Sequence, residues 1–202
     1  MITSQAPLFS STRPDMAFSL LAGNIGYLLF NAFEDQELPR RFLAEFSRIG
    51  QTDALVVDLR GARGEGSANA WKILSYLMGR SFPAVRWMGP ACVLVRRCMP
   101  GHGAYARPMA VLIGRDTDGA AEDFAVTFNT ARRGLIWGEP TGQDGAHSGV
   151  QPHRLLRASD ADVRAGRDVV LLAACQALRL EPDYRPAETA AKLPWTLQEH
   201  SA

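Results

Sequence analysis

The chain has 202 residues, enough for one substantial core and a small appendage. Its 22 Lys and Arg nearly balance 21 Asp and Glu, leaving a formal charge of +1 and no electrostatic case for nucleic acid or an anionic membrane. No apolar run approaches the roughly 20 residues that span a bilayer. Cys92, Cys98 and Cys175 are odd in number and sit in apolar settings, which reads as reduced thiols rather than a disulfide framework.

Residues 1–15 are rich in Ser, Thr and Pro and are expected as an irregular arm. The run 17–22 is too short for a signal peptide, follows Pro14 and Asp15, and leads into a strand, so it is read as structure and cytoplasmic residence is favoured. Residues 25–30 follow the turn Gly23-Asn24 as a strand. An amphipathic helix is expected over 36–49, with Leu38, Phe42, Phe46 and Ile49 on one face and Pro39 tolerated near its start. Residues 54–60 form a buried strand ending in a glycine-rich loop, 61–66. Ser67 is placed to cap a helix through residue 80, whose apolar face holds Trp71, Leu74, Leu77 and Met78. An irregular hairpin is expected over 85–98, broken at Gly89-Pro90, and then a loop over 99–107.

The central stretch is 108–147. Met109 to Ile113 is all apolar, the mark of a strand buried on both faces. A turn over 114–119 leads into a helix over 119–132, with Ala121, Phe124, Ala125 and Phe128 on one side. A strand over 135–138 closes the parallel unit. The turn matters because a helix N-terminus offers free N–H groups and a positive dipole end, where a nucleophile and an oxyanion are both served. After a loop over 142–149, a strand is expected over 150–157. Ser159 caps a short turn, and Arg167-Asp168 leads a last helix with Val169, Leu172, Ala173 and Leu178 apolar.

Several motifs fall into one pattern. Thr117, Ala120 and Glu122 stand in a Thr-x-Ser-Ala-x-Glu arrangement, and Gly138-Glu139-Pro140-Thr141-Gly142 follows the helix. Asp58-Leu59-Arg60 precedes the glycine-rich loop, and Gly23-Asn24-Ile25-Gly26-Tyr27 opens the core. In this order, over about 23–180, they resemble the tail-specific, or C-terminal processing, serine peptidases. The resemblance implies a crotonase/ClpP-like α/β core, a mostly parallel sheet flanked by helices. It divides the chain into an N-terminal arm (1–22), the core (23–180) and a C-terminal tail (181–202), with no peptide-binding PDZ module. It also assigns roles. Gly64 and Ala120 supply oxyanion-hole N–H groups, and Asp58, Arg60, Thr117, Glu122, Glu139 and Thr141 support the motifs. Two positions depart from the pattern: Gly119 stands where the serine belongs, and Asp144 where one branch keeps a lysine base.

The glycine-rich loop alone is explained by turn geometry, and only the second motif tips it toward this fold. Other chemistry is thin. Asp144, His147 and His153, or Cys92, Cys98 and His102, lack a recognised metal spacing, so no metal or cofactor is expected. Ser148 beside His147 points away from it on extended backbone. Thr117 has no identifiable base, and Ser67 reads as a cap. The expectation is a catalytically degenerate domain whose cleft binds a peptide or a small apolar ligand, as interphotoreceptor retinoid-binding protein does within the same resemblance. The alternative is an active peptidase with an unrecognised nucleophile or a composite site. Oligomeric state is open.

Overall fold

The computed structural model describes residues 14–88, 91–142 and 149–180 and the backbone of 198–199. Its elements in chain order are β1 (Met16–Leu21), β2 (Ile25–Phe30), α1 (Leu38–Ile49), β3 (Ala54–Asp58), α2 (Ser67–Leu77), β4 (Phe82–Met88) and β5 (Ala91–Cys98). Then come β6 (Met109–Ile113), α3 (Ala120–Thr130), β7 (Leu135–Gly138), β8 (Arg154–Leu155), α4 (Asp160–Arg164), α5 (Val169–Leu180) and β9 (Gln198–Glu199).

Six strands form one sheet in the order β1-β2-β3-β6-β7-β8. β1 is antiparallel to β2, and every other pair in that sheet is parallel. The four strands expected to share a sheet do so. β3 and β6 are buried at every position, as central parallel strands covered on both sides must be. Strand alternation divides the apolar side chains between two layers. Leu28, Phe30, Leu55, Val57, Val111 and Ile113 face α1, α2 and α3. Ile25, Val56, Ala110, Leu112, Leu135 and Trp137 face α5. The result is an α/β sandwich around a mostly parallel sheet. Among the described residues no helix is long and apolar enough to cross a membrane.

Differences from the sequence reading have local causes. Within the arm expected over 1–22, the run 17–22 read as structure falls largely in β1, whose backbone pairs along the whole of β2. The strand expected over 150–157 shrinks to β8, since only Arg154 and Leu155 find partners on β7. Ser67 does not cap α2. Gly66 occupies that position, and the Ser67 hydroxyl instead donates to Asp123 Oδ2 at 2.6 Å, tying α2 to α3. On α5 the buried positions are Val170 and Ala174, while Leu172 is exposed. The expected hairpin is β4–β5, antiparallel with a register shift between Ala84 and Val85.

The outer edge of β4 is closed by side chains of α3. Thr127 Oγ1 accepts from the Val85 N–H at 3.0 Å and donates to the Val85 carbonyl at 3.1 Å. Asp123 Oδ1 accepts from the Trp87 N–H at 2.6 Å. Four residues apart on one helix face, the two act as a surrogate strand. The other edge of the hairpin, β5, pairs in parallel with β9.

Candidate functional site

Two strand-to-helix turns meet at the carboxyl edge of the sheet: 61–66 after β3 and 114–119 after β6. Thr117 locks the second turn. Its hydroxyl donates to the Leu59 carbonyl at 2.8 Å and accepts from the Gly114 N–H at 3.0 Å. Its own N–H bonds the Gly114 carbonyl at 3.0 Å, and the Asp118 N–H bonds Ala62 O at 3.0 Å. The turn is thereby fixed to the end of the neighbouring strand by short polar contacts, those of the Thr117 hydroxyl buried or half-buried.

Gly119, which the sequence reading expects at the nucleophile position, has φ 60° and ψ −121°. Side-chain-bearing residues reach that region only at a cost in strain. Space is closed as well: a Cβ there would lie 2.2 Å from the Gly64 carbonyl oxygen and 3.0 Å from its carbon. The reason is a backbone hydrogen bond. Ala120 N–H donates to Gly64 O at 2.8 Å. Gly64 and Ala120 are therefore neighbours, as expected, but Gly64 presents its carbonyl to Ala120 rather than an N–H to a shared oxyanion. The next donors are also used: Gly119 N–H bonds Asp118 Oδ1 at 2.8 Å, and Ala121 N–H bonds Asp118 O at 3.3 Å. A helix N-terminus that attracts anions through unpaired N–H groups is here paired with its own chain.

Glu34 holds the partner turn. Its Oε1 accepts the Glu65 N–H at 3.1 Å and lies where a Cβ on Gly64 would come within 2.4 Å. Phe33 stacks on Phe30 with centroids 4.8 Å apart, anchoring the loop that carries Glu34. Sequence reading passed over Glu34 because nothing local marks a contact across 31 residues.

Below the turns is a buried acidic layer. Glu122 accepts a short hydrogen bond from the Thr141 hydroxyl, which itself accepts the Val150 N–H at 2.8 Å. Burial pushes the Glu122 carboxyl up to about 7, the neighbouring Asp118 and Asp123 add to the rise, and the Thr141 bond opposes it. The sequence suggested a charge suited to the helix dipole; the site instead holds this group near half-protonation at neutral pH. Burial likewise raises Asp123, against the Ser67 hydroxyl, the Trp87 N–H and Arg86. Cys92 is free and buried, and burial followed by Asp123 and Glu122 pushes its thiol up to about 12, far from a reactive thiolate.

On the α5 side of the same edge, Asp58 and Arg60 form a second polar unit. Arg60 Nε and Nη2 grip Asp58 at 3.0 Å and 2.6 Å. Its Nη1 and Nη2 grip Asp168 at 2.9 Å and 2.6 Å. Tyr27 donates to Asp58 Oδ2 at 2.6 Å. Asp168 also accepts the Leu171 N–H at 3.0 Å at the start of α5. Burial would raise Asp168, but the Arg60 hydrogen bonds and charge hold it below the ordinary carboxylate range. This unit bolts α5 to β3.

Asp144, His147 and Ser148 lie outside the described residues. His153 Nδ1 accepts the Ile136 N–H at 3.0 Å, which commits that nitrogen to the sheet. Glu139 lies at the mouth of the edge between Arg115 and Arg157, at 3.2 Å and 3.6 Å.

With this geometry in hand, comparison with known proteins is decisive. The sequence model of Peptidase family S41 matches residues 24–163, more than half of the chain. The chain belongs to peptidase family S41. A putative peptidase from Parabacteroides merdae superposes with a TM-score of 0.65 at 18% identity, over 81% of this chain and 64% of that one. Mature CPAF in complex with lactacystin gives 0.61 at 15% identity, over 82% and 54%. The photosystem II D1 C-terminal processing protease gives 0.55 at 21% identity, over 72% and 49%. At these identities the likenesses establish the S41 fold, a ClpP/crotonase-like core. The chain spans between about half and two-thirds of the length of these relatives.

Proposed function

We propose that this S41 domain is a catalytically degenerate peptidase whose cleft binds a peptide or a small apolar ligand. One observation carries the reading: at the nucleophile position stands Gly119, with the Gly64 carbonyl 2.2 Å from where a Cβ would begin and bonded to the Ala120 N–H. A glycine cannot be acylated, and an N–H already paired cannot receive an oxyanion without first giving up its partner. The roles inherited from the family follow in altered form. Ala120 and Gly64 close the turn, Thr117 and Glu122 fasten it to β3 and to Thr141, and Asp58 and Arg60 fasten the sheet to α5. Asp144 takes the place of the lysine base. Ser67 is a poor replacement nucleophile, because its hydroxyl is buried and already donates to Asp123.

The test is activity-based labelling with a fluorophosphonate, beside hydrolysis of a quenched-fluorescence peptide library. The expected result is no covalent adduct and no turnover. Loss of a nucleophile costs about six powers of ten in kcat in subtilisin, a measured value for that enzyme. Binding is read separately, by titrating the protein with unstructured peptides and with an environment-sensitive apolar dye. Cleavage that disappears on replacing Ser67, Thr117 or Ser148 would establish an active peptidase and identify its nucleophile. Absence of binding by every peptide and dye would remove the ligand half of the proposal.

A further inference from the structure

The carboxyl edge of the sheet carries a second cavity, on the α5 side of the 114–119 turn. It has a volume of about 280 Å³. Ligands of open α/β sheets bind beyond the carboxyl ends of the strands, and this cavity lies beyond β3, β6, β7 and β8 together. Each strand delivers a charged residue there just past its end: Arg60, Arg115, Glu139 and Arg157. The wall behind them is apolar, with Ile113, Leu156 and Val170.

The charges are arranged unevenly. Glu139 Oε1 is shared by Arg115 and Arg157, so one carboxylate answers two guanidiniums. Asp116, also at the rim, is taken by Arg63. Arg60 forms the back of the cavity with its donors committed to Asp58 and Asp168, and contributes bulk more than attraction. Among the described residues Arg115 and Arg157 contact only Glu139, and each guanidinium has five N–H donors in a fork that fits a carboxylate. The mouth therefore holds one surplus positive charge beside an apolar wall, and the matching surplus negative charge lies at the back, where Arg60 answers both Asp58 and Asp168.

We propose that this cavity is a binding site for a small apolar monocarboxylate, its carboxylate received by Arg115 and Arg157 and its chain laid against Leu156 and Val170. At about 30 Å³ per water-sized unit the cavity takes roughly nine heavy atoms. That admits a short-chain acid or the last residue of a peptide with a free C-terminus. The site uses residues 114–116 of that turn but not Gly119 itself, and it stands whether or not the cleft binds ligand.

Calorimetric titration of the full chain at low salt tests the proposal with hexanoate, hexanol, inorganic phosphate, and a short peptide ending in valine beside its C-terminal amide. Hexanoate should bind with a dissociation constant on the order of 1 mM. Hexanol and phosphate should bind at least about tenfold more weakly, since each lacks one of the two features recognised. The double variant Arg115→Gln/Arg157→Gln, at exposed side chains, should lose about tenfold or more in hexanoate affinity with an unchanged melting temperature. Ala158→Phe, which fills the cavity and keeps both arginines, should abolish binding. Binding of the free-acid peptide but not its amide identifies chain termini as the source, and binding of hexanoate alone identifies free acids. No hexanoate binding, equal binding of hexanol or phosphate, or indifference to both variants overturns the proposal.

Discussion

The Asp58–Arg60–Asp168 unit and the Gly64–Gly119 contact occupy the two sides of one sheet edge, and they differ in what fills them. In the ionic unit side chain meets side chain, through six contacts from Arg60 and Tyr27 of 3.1 Å or less. On the α3 side backbone meets backbone, the Ala120 N–H on the Gly64 carbonyl, and the close approach is between two glycines, Gly64 and Gly119. The first region ties α5 to β3. The second holds the turn in which the sequence reading expects the nucleophile position and its oxyanion donors. Family membership fixes the fold and leaves the chemistry to be read at the site.

The harshest way to break this comparison is to remove the cation on the ionic side. Arg60→Ala leaves Asp58, which is 2% exposed, as a buried carboxylate with no cation beside it from residue 60, held by the Tyr27 hydroxyl and the backbone N–H of residue 60. Breaking a buried pair from one side typically costs about 3–5 kcal/mol. Chemical denaturation should show a loss of that size, and Arg60→Lys should recover part of it, since an ammonium restores the charge but not the fork. A loss below about 1 kcal/mol would mean the unit is not structural.

A smaller but sharper test falls on the other side. Gly119→Ala and Gly119→Ser should both destabilise by about 2–4 kcal/mol, combining the strain of a side chain at φ 60° with displacement of the Gly64 peptide. The two should behave alike, because the obstacle is the Cβ and not the hydroxyl. Gly119→Ser should also gain no fluorophosphonate labelling. Pairing it with Asp144→Lys asks whether the base position can rescue the chemistry. A stable, labelled Gly119→Ser protein would show that the Gly64 carbonyl withdraws readily and that the turn is open.

These outcomes bear on what the amino-acid order discloses. β3 and β6 were legible because central parallel strands read as near-continuous apolar runs, broken in β3 only by its last residue, Asp58, which leaves few other readings for Leu55-Val56-Val57 or Ala110-Val111-Leu112. The bounds of β8 were not, because a two-residue edge strand inside the longer run 150–157 carries no periodic signal. At the site, the absence of serine is plain in the letters, whereas the direction of the Gly64 peptide plane is a backbone angle that no side chain announces. Asp123 left a trace that was passed over. Ala120, Asp123 and Thr127 recur at helical spacing on a buried face, and a carboxylate in that series asks for a partner. Its partners, Ser67 and the Trp87 N–H, come from 56 and 36 residues away.

The mildest prediction concerns Glu122, which lies between the two turns' supports. Its carboxyl titrates near 7 in the folded chain, against about 4.3 for an unperturbed glutamate. The folded state therefore binds a proton that the unfolded chain has already released between those values. Its contribution to stability is fully present below about pH 4 and is lost as pH rises through 7, the reverse of a salt-bridged carboxylate. Glu122→Gln keeps the size and an oxygen for the Thr141 hydroxyl while removing the charge. The variant's stability relative to the parent should grow by about 1–3 kcal/mol between pH 5 and pH 8. The raised Asp123 adds a decline of the same sign that persists in the variant, so the variant's curve flattens without becoming level. Urea unfolding across that range measures the difference directly. A parent protein whose stability rises from pH 5 to 8 by as much as the variant's would show that Glu122 is ionised throughout. The acidic layer would then resemble the Arg60 side in being held by charge.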